Sequence, residues 1–184
     1  MQNLNQTEIA ILDWIKANIS CDFLDKFMKA ITRLGNNGMF FILLAVILFF
    51  IPKTRRFATT FSLAMVLEFL TIDVILKPLI SRPRPFVLNS GAELIIPALN
   101  SASFPSGHTG LAFAFALSLL VCGKKSVVFG VVFAILMGFS RMYLYVHYPT
   151  DVIFGAIIGS LCGYFAYRIT KKVLDKNKNS KGIL

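Results

Sequence analysis

Three short polar clusters interrupt an otherwise apolar chain of 184 residues. In chain order they are residues 77–85 (KPLISRPRP), residues 105–108 (PSGH), and the group Ser140, Arg141, His147 and Asp151. Charge beside apolar segments is costly and is usually kept for function. Fixed cations bind anions, and imidazoles with a carboxylate transfer protons or act as nucleophiles. The clusters therefore predict a phosphate-handling site.

The first cluster supplies fixed cations. Lys77 and Arg84 are seven positions apart, and the prolines that follow Lys77 end its helix and stiffen the loop. An arginine fork and a lysine point charge suit a phosphate. Alternatively, both side chains extend to lipid headgroups, and this cluster alone does not separate the two readings.

The second cluster is predicted to open a helix. Free backbone N–H groups and the helix dipole make such an N-terminus an anion site. Gly107 lets the backbone come close, and the Ser106 hydroxyl either donates to the anion or caps the helix. His108 lies in the first turn, where an imidazole can deliver a proton at neutral pH.

The third cluster pairs an imidazole with a carboxylate. His147 and Asp151 are four residues apart, so a helix that begins near Pro149 brings them together. A carboxylate on one ring nitrogen fixes the tautomer and leaves the other nitrogen as a nucleophile. Asp151 or Thr150 could also cap that helix, and both roles are compatible.

Four further polar residues lie near the clusters. Asp73 is four residues before Lys77, so it either pairs with this lysine or faces headgroups. Arg82 either touches the substrate or faces solvent, and Ser140 is a supporting residue beside Arg141. Glu68 lies deeper in an apolar segment, where a carboxylate needs a partner or a proton, and the sequence indicates no partner.

Composition indicates an all-α integral membrane protein. Hydrophobic residues make up 56% of the chain and the mean hydropathy is +0.70. The net charge of +10 does not indicate nucleic-acid binding, because the charges cluster at the ends of apolar segments. A bundle of about five transmembrane helices is predicted, at residues 38–52, 57–77, 107–122, 126–145 and 150–170.

Two amphipathic helices, at residues 5–19 and 22–34, are predicted to lie on the bilayer surface. Residues 1–34 would thus form an interfacial segment, 35–172 the membrane-embedded domain and 173–184 a basic tail. Lysine and arginine cluster after spans one, three and five, which predicts that those ends and the C-terminus are cytoplasmic. The polar clusters then face outward. Gly155, Gly159 and Gly163 in the last span predict close helix packing.

The order and spacing of the polar residues resemble the type 2 phosphatidic acid phosphatase family of membrane lipid phosphatases. The family pattern is Lys, six residues, Arg-Pro; then Pro-Ser-Gly-His; then Ser-Arg, five residues, His, three residues, Asp. Every position is matched, by Lys77, Arg84, Pro85, Pro105, Ser106, Gly107, His108, Ser140, Arg141, His147 and Asp151. The resemblance covers about residues 35–170 and assigns nothing to residues 1–34.

The resemblance implies a mechanism. His147 is expected to attack the terminal phosphorus and become phosphohistidine, while Asp151 orients it. His108 is expected to protonate the leaving group and then activate water. The phosphoryl oxygens are expected to be bound by Lys77, Arg84, Ser106, Gly107 and Arg141. Because three cations already balance the phosphate charge, no metal or other cofactor is expected.

Several substrates and one other class of function stay open. Undecaprenyl diphosphate is slightly favoured over phosphatidylglycerol phosphate and phosphatidic acid, because an outward site suits recycling of a polyprenyl carrier. The expected location is a bacterial plasma membrane, with the lipid substrate and the bilayer as partners and no nucleic acid; the oligomeric state is open. A small anion transporter is the alternative, although no internal repeat supports it. The family's vanadate-dependent haloperoxidase relatives are soluble and larger, so the apolar spans argue against that activity.

Overall fold

Helices account for nearly all of the secondary structure in the computed structural model, which describes residues 2–89 and 91–181. The helices are α1 (Gln2–Ile19), α2 (Asp22–Leu34), α3 (Met39–Phe50), α4 (Arg55–Phe69), α5 (Lys77–Ile80), α6 (Pro85–Leu88), α7 (Gly107–Ser118), α8 (Lys124–Tyr143) and α9 (Pro149–Lys181). No strand occurs within these described ranges, which confirms the all-α prediction.

The helix α4 continues into α5 through a π-helical segment, Leu70–Leu76. Pi-helical turns are frequent at functional sites because they re-aim the side chains that follow. The helix ends at Ser81, whose φ of 46° lies in the left-handed region, and the proline-rich loop then begins. The stretch from α4 to α5 carries Glu68, Asp73 and Lys77.

The number of membrane spans is supported only in part. Among the described residues, α8 and α9 are each long and apolar enough to cross a bilayer, and α2 with α3 makes a third candidate bent by 54°. Met39–Phe50 has only 12 residues and Gly107–Ser118 also has 12, so neither reaches the length of about 20 residues that a bilayer requires. The count of about five spans therefore stays a prediction.

Small residues allow α7 and α9 to pack closely at the centre of the bundle, where α7 also contacts α4 and α8. A Cβ added at Gly155 would lie 2.5 Å from the Ser106 carbonyl oxygen, and one at Gly163 would lie 2.7 Å from that of Ala114. Gly159 is tighter still, since a Cβ there would overlap the Gly110 carbonyl oxygen. The predicted packing role of these glycines is confirmed, and the contact holds the starts of α7 and α9 together.

The N-terminal helices pack against the turn between α8 and α9. Ile15 of α1 and Met28 of α2 share a buried cluster with Tyr143, Leu144 and Val146. Whether residues 1–34 lie at a bilayer surface stays a prediction. Of the predicted tail at residues 173–184, α9 includes the part up to Lys181, and residues 182–184 lie outside the described residues.

Candidate active site

His147 lies in the five-residue turn between α8 and α9 and is almost fully buried. The turn is held from two directions. The amides of Val146 and His147 both donate to the Arg141 carbonyl oxygen, at 3.2 and 3.3 Å. Tyr145 adopts a φ of 61°, a strained conformation for a residue other than glycine, and its hydroxyl donates to Asp13 of α1 at 2.7 Å. The backbone of this turn is therefore fixed by contacts with both α8 and α1.

Asp151 approaches His147 from the first turn of α9. Its Oδ2 lies 3.4 Å from Nδ1 of the imidazole and also accepts from the Tyr148 amide at 2.9 Å and from the Ser103 hydroxyl. A carboxylate at Nδ1 assigns the proton to that nitrogen and leaves Nε2 with a lone pair. Burial lowers the pKa of His147 to about 3, against the opposing effect of the Asp151 hydrogen bond. The ring is therefore neutral at physiological pH.

Arg84 lies beside the free nitrogen of that ring. Its Nη1 is 3.3 Å from Nε2 of His147 and donates to the Val146 carbonyl oxygen at 2.8 Å, while Nε donates to the Ser101 carbonyl oxygen at 2.8 Å. Burial lowers the pKa of Arg84 to about 10, so the guanidinium stays charged at neutral pH. A positive charge is thus fixed where a group attacked by Nε2 would sit.

Arg141, in the last turn of α8, is the second buried arginine of the site. The residue is only 1% exposed, and Nη1 donates to the Thr32 hydroxyl of α2. Its Nε and Nη2 have no hydrogen-bond partner among the described residues. Buried donors on a cation that lack a partner are costly. The arrangement therefore suits an anion that would accept from both groups.

Lys77 and Asp73 form the ion pair that their spacing predicts, with Nζ 2.5 Å from Oδ1. A Cβ at Gly107 would lie 3.3 Å from Lys77 Nζ, so the lysine sits against the first residue of α7. The start of α7 thus combines a side-chain cation with backbone N–H donors.

His108 lies one residue further along α7. Its Nε2 is 3.1 Å from Oδ1 of Asn36, and a Cβ at Gly35 would collide with its ring. The segment between α2 and α3 therefore limits where this imidazole can sit.

A cavity of about 730 Å³ brings these groups together and has two chemically different ends. The polar end is lined by Asp73, Lys77, Arg84, His108, Arg141 and His147. The other end is apolar and lies between α3, α4 and α7, where its lining includes Ile42, Met65, Val66, Phe69, Leu70 and Leu111. We refer to Lys77, Arg84 and Arg141 as the cavity cations.

Not every residue singled out in the sequence lines this cavity. The Ser106 hydroxyl caps α7 by accepting from the Thr109 amide at 3.4 Å, and the Ser140 hydroxyl donates to the Met137 carbonyl oxygen of its own helix. Glu68 does line the cavity, is buried against Gly110, and has an Oε1 without a partner in the described part of the chain.

Arg82 lies behind His147 and Asp151, which we refer to as the dyad, and it does not line the cavity. Its Nη1 is 2.6 Å from Asp151 Oδ1, and its Nη2 is 2.5 Å from Glu8 Oε2 of α1. We refer to Glu8, Arg82, Ser103 and Asp151 as the support network of His147. Sequence reasoning missed Glu8, Ser103 and Thr32. Only Glu8 carried a signal, since it lies on the apolar stripe of α1 that contains Leu12 and Ile15.

Comparisons with known proteins agree with this geometry. A family model described as PAP2 superfamily matches residues 57–175. The chain is 31% identical over 147 residues to undecaprenyl-diphosphatase BcrC of Bacillus subtilis, which covers 80% of this chain and 75% of that protein.

Two solved structures have a similar fold. The crystal structure of LpxE from Aquifex aeolicus has a TM-score of 0.75 and 32% identity, and the match covers 86% of this chain and 93% of that one. The crystal structure of a transmembrane PAP2-type phosphatidylglycerolphosphate phosphatase from Bacillus subtilis has a TM-score of 0.77 and 27% identity, with 94% and 89% covered.

Proposed function

We propose, from the premise that this chain belongs to the PAP2 superfamily, that it removes the terminal phosphate from a lipid diphosphate or lipid phosphate. The two-ended cavity carries the proposal. Its polar end offers three cations and two imidazoles, which suit a phosphoryl group. Its apolar end includes Val66 and Phe69, each more than half exposed, which suits a hydrocarbon chain that stays in the bilayer.

The proposed reaction proceeds through phosphohistidine. Nε2 of His147 attacks the terminal phosphorus, and the bond from phosphorus to the leaving oxygen breaks. The electron pair goes to that oxygen, which takes a proton from His108. Water then attacks the phosphorus, gives a proton to His108 and releases Nε2 with inorganic phosphate. The neutral ring and its free Nε2 beside Arg84 support this assignment.

In this reaction the cavity cations replace a metal. Phosphoryl transfer requires mainly positioning and stabilisation of the charge spread over the phosphoryl oxygens. The unpaired Nε and Nη2 donors of Arg141, the guanidinium of Arg84 and the Lys77 ammonium offer that stabilisation. We therefore propose a reaction that needs no metal and no other cofactor.

Undecaprenyl diphosphate is the substrate we favour. The relative named undecaprenyl-diphosphatase supports this choice. The structural neighbour named as a phosphatidylglycerolphosphate phosphatase makes that lipid the alternative, and phosphatidic acid is a third candidate.

We place the site on the outer side of a bacterial plasma membrane and the C-terminus on the cytoplasmic side. Helix α7 begins at the cavity and runs toward the exposed Lys124 and Lys125, so the positive loop lies at the opposite end of the bundle from the site. Positive loops are retained on the cytoplasmic side of a membrane, which supports this orientation.

Phosphate release by purified protein in detergent with a chelator present tests the proposal. The panel is undecaprenyl diphosphate, phosphatidylglycerol phosphate and phosphatidic acid. We expect metal-independent release, fastest from undecaprenyl diphosphate, and a loss of about 10⁴-fold or more in His147→Ala. An alkaline quench during turnover should leave labelled phosphate on the protein, since phosphohistidine survives in base.

Asp22→Asn is the matched control, because Asp22 is an exposed acid on α2 away from the cavity lining. Release that persists in His147→Ala would contradict the histidine mechanism. A wild-type protein that releases phosphate from none of the lipids would favour the anion-transport alternative.

A further inference from the structure

The buried face of α1 carries a carboxylate. Glu8 is 4% exposed and lies in line with Leu12 and Ile15, which are also buried. An amphipathic helix that only rests on a surface would place an acid toward water. Burial of a charge is costly unless it is paired, so Glu8 requires partners in the rest of the protein.

Both oxygens of Glu8 have partners close to the catalytic dyad. Oε1 accepts from the Thr150 amide at 2.7 Å, one of the free N–H groups in the first turn of α9. Oε2 accepts from Arg82 Nη2 at 2.5 Å. Thr150 immediately precedes Asp151, so one carboxylate of α1 holds both the backbone and the side-chain environment of the dyad.

Arg82 connects this carboxylate to Asp151. Its Nη1 donates to Asp151 Oδ1 at 2.6 Å and to the Thr150 hydroxyl at 2.8 Å, and Nη2 also donates to Asn5 of α1. The guanidinium lies 3.8 Å from the centre of the Tyr148 ring, which limits its tilt. The Arg82 guanidinium is planar, with hydrogen bonds along its edge and the Tyr148 ring against its face. These contacts together hold it in one orientation.

The two oxygens of Asp151 are thereby assigned different tasks. Oδ1 is held by Arg82, while Oδ2 is left for the Ser103 hydroxyl, the Tyr148 amide and Nδ1 of His147. Without Arg82 the carboxylate would be free to turn away from Nδ1, and the proton of the neutral ring would then no longer be assigned to that nitrogen.

We propose that Glu8 is a positioning residue of the active site, which acts through Arg82 to orient Asp151 and thereby fixes the tautomer of His147. The N-terminal helix α1 is in this sense part of the catalytic machinery, although it lies outside residues 57–175 that match the family. The inference deepens the proposed function, because it concerns the same histidine and the same reaction.

A double-mutant cycle tests whether the two residues act in series. Arg82→Met is expected to lower kcat by about 10- to 100-fold, by analogy with the outer-shell residues that orient metal-ligating histidines. Glu8→Gln, which keeps an acceptor but loses the charge, is expected to lower kcat by about three- to tenfold and to have no further effect in the Arg82→Met background. Inhibition by inorganic phosphate, which reports on the cavity cations, is expected to stay unchanged.

Matched controls separate this role from general loss of charge or fold. Asp22→Asn and Arg33→Met remove one acid and one arginine from exposed positions on α2, and both are expected to behave as wild type. Arg82→Lys keeps the charge without the two-armed fork and is expected to recover only part of kcat. Thermal unfolding in detergent identifies any variant whose loss of activity reflects loss of fold.

Nitrogen NMR of the imidazoles tests the same proposal without a substrate. The chain has only two histidines, so protein labelled with ¹⁵N-histidine gives two ring systems, and His147→Ala assigns them. In the wild type, Nδ1 of His147 is expected to be protonated and Nε2 free. Exchange between tautomers in Arg82→Met should move the two His147 nitrogen shifts toward each other, while those of His108 stay in place.

The outcomes are distinguishable from those of the proposed function. If the wild type releases no phosphate from any lipid, the activity proposal fails, but the NMR comparison still decides the positioning role. If the wild type is active, and Glu8→Gln and Arg82→Met leave both kcat and the His147 shifts unchanged, the positioning role is wrong. Additive losses in the double variant would also overturn it, because Glu8 would then not act through Arg82.

Discussion

The cavity side and the support side of the His147 ring differ in how their polar atoms are paired. On the cavity side, Arg141 has two buried donors without a partner, and Lys77 is still partly exposed. On the support side, both oxygens of Asp151 and both oxygens of Glu8 accept hydrogen bonds from the protein. Arg84 is the exception among the cavity cations, because its Nε, Nη1 and Nη2 all donate to protein groups. The contrast in pairing is therefore between Arg141 and Arg82.

The difference corresponds to two tasks. A surface that must bind and release a phosphate in every cycle needs donors that the protein does not already occupy. A surface that must hold one ring in one orientation needs every polar atom engaged, since a partly satisfied buried network does not fix a geometry. Substitutions on the two sides should therefore change different kinetic quantities.

The largest effect on the support side is expected for Asp151→Asn. An amide in place of the carboxylate no longer favours the proton on Nδ1, so Nε2 loses its lone pair in much of the population. A drop in kcat of about 10⁴-fold is expected, as for a carboxylate that sets the tautomer of a catalytic histidine. Inhibition by inorganic phosphate should stay within about twofold of wild type.

Inhibition of Asp151→Asn by inorganic phosphate decides whether the cavity side and the support side are functionally separate. If Asp151→Asn weakened phosphate binding as strongly as it lowers kcat, the two sides would not be functionally separate. Ser103→Ala serves as a milder variant on the same carboxylate, because it removes one donor to Oδ2 and leaves the charge.

A second prediction addresses the cavity side. Arg141→Lys keeps the positive charge but removes Nε and Nη2, the two donors without a protein partner. We expect kcat/KM to fall by about 10²- to 10³-fold, the cost of losing donors to the transition state. Inhibition by orthovanadate, which mimics the five-coordinate phosphorus, should weaken by a similar factor.

Arg168→Lys is the control for this substitution, since Arg168 is an exposed arginine on α9 whose Nη1 donates to the Tyr164 hydroxyl at 2.7 Å. Arg141→Lys with unchanged vanadate inhibition would show that the unpaired donors do not face the phosphate. Comparing the two variants gives the strongest test of the difference between the two sides. Vanadate inhibition should weaken in Arg141→Lys and not in Asp151→Asn.

The sequence predicted the cavity side better than the support side. The cavity cations and both histidines lie in short motifs whose spacing has chemical meaning, and the structure brings them to one cavity. The i,i+4 spacings of Asp73 with Lys77 and of His147 with Asp151 are local, so the sequence offered both contacts, although Asp73 lies in the π-helical segment and His147 in the turn before α9. The all-α class was likewise predicted from the sequence, on the basis of its apolar composition.

The support side depends on contacts that no local pattern encodes. Glu8 meets Arg82 and Thr150 across separations of 74 and 142 residues, and Arg82 could be read as facing either substrate or solvent. The number of spans was uncertain for a related reason. Apolar composition marks a segment as buried, but the short α3 shows that it does not set helix length.

The smallest effect is expected at the rim of the cavity, for Asp73→Asn. The pair that Asp73 forms with Lys77 is partly exposed, at 34% and 14% for the two side chains, and such pairs contribute little because solvent screens them. The aspartate holds the flexible lysine in place, yet it also repels an anionic substrate, so the two effects partly offset each other. We expect kcat/KM to fall by at most about fivefold, through a rise in KM. Measured in a Lys77→Met background, Asp73→Asn should have no further cost, because nothing is left for it to hold. A loss of 100-fold or more from Asp73→Asn alone would place this carboxylate, with the cavity cations, among the groups that act on the reacting phosphate.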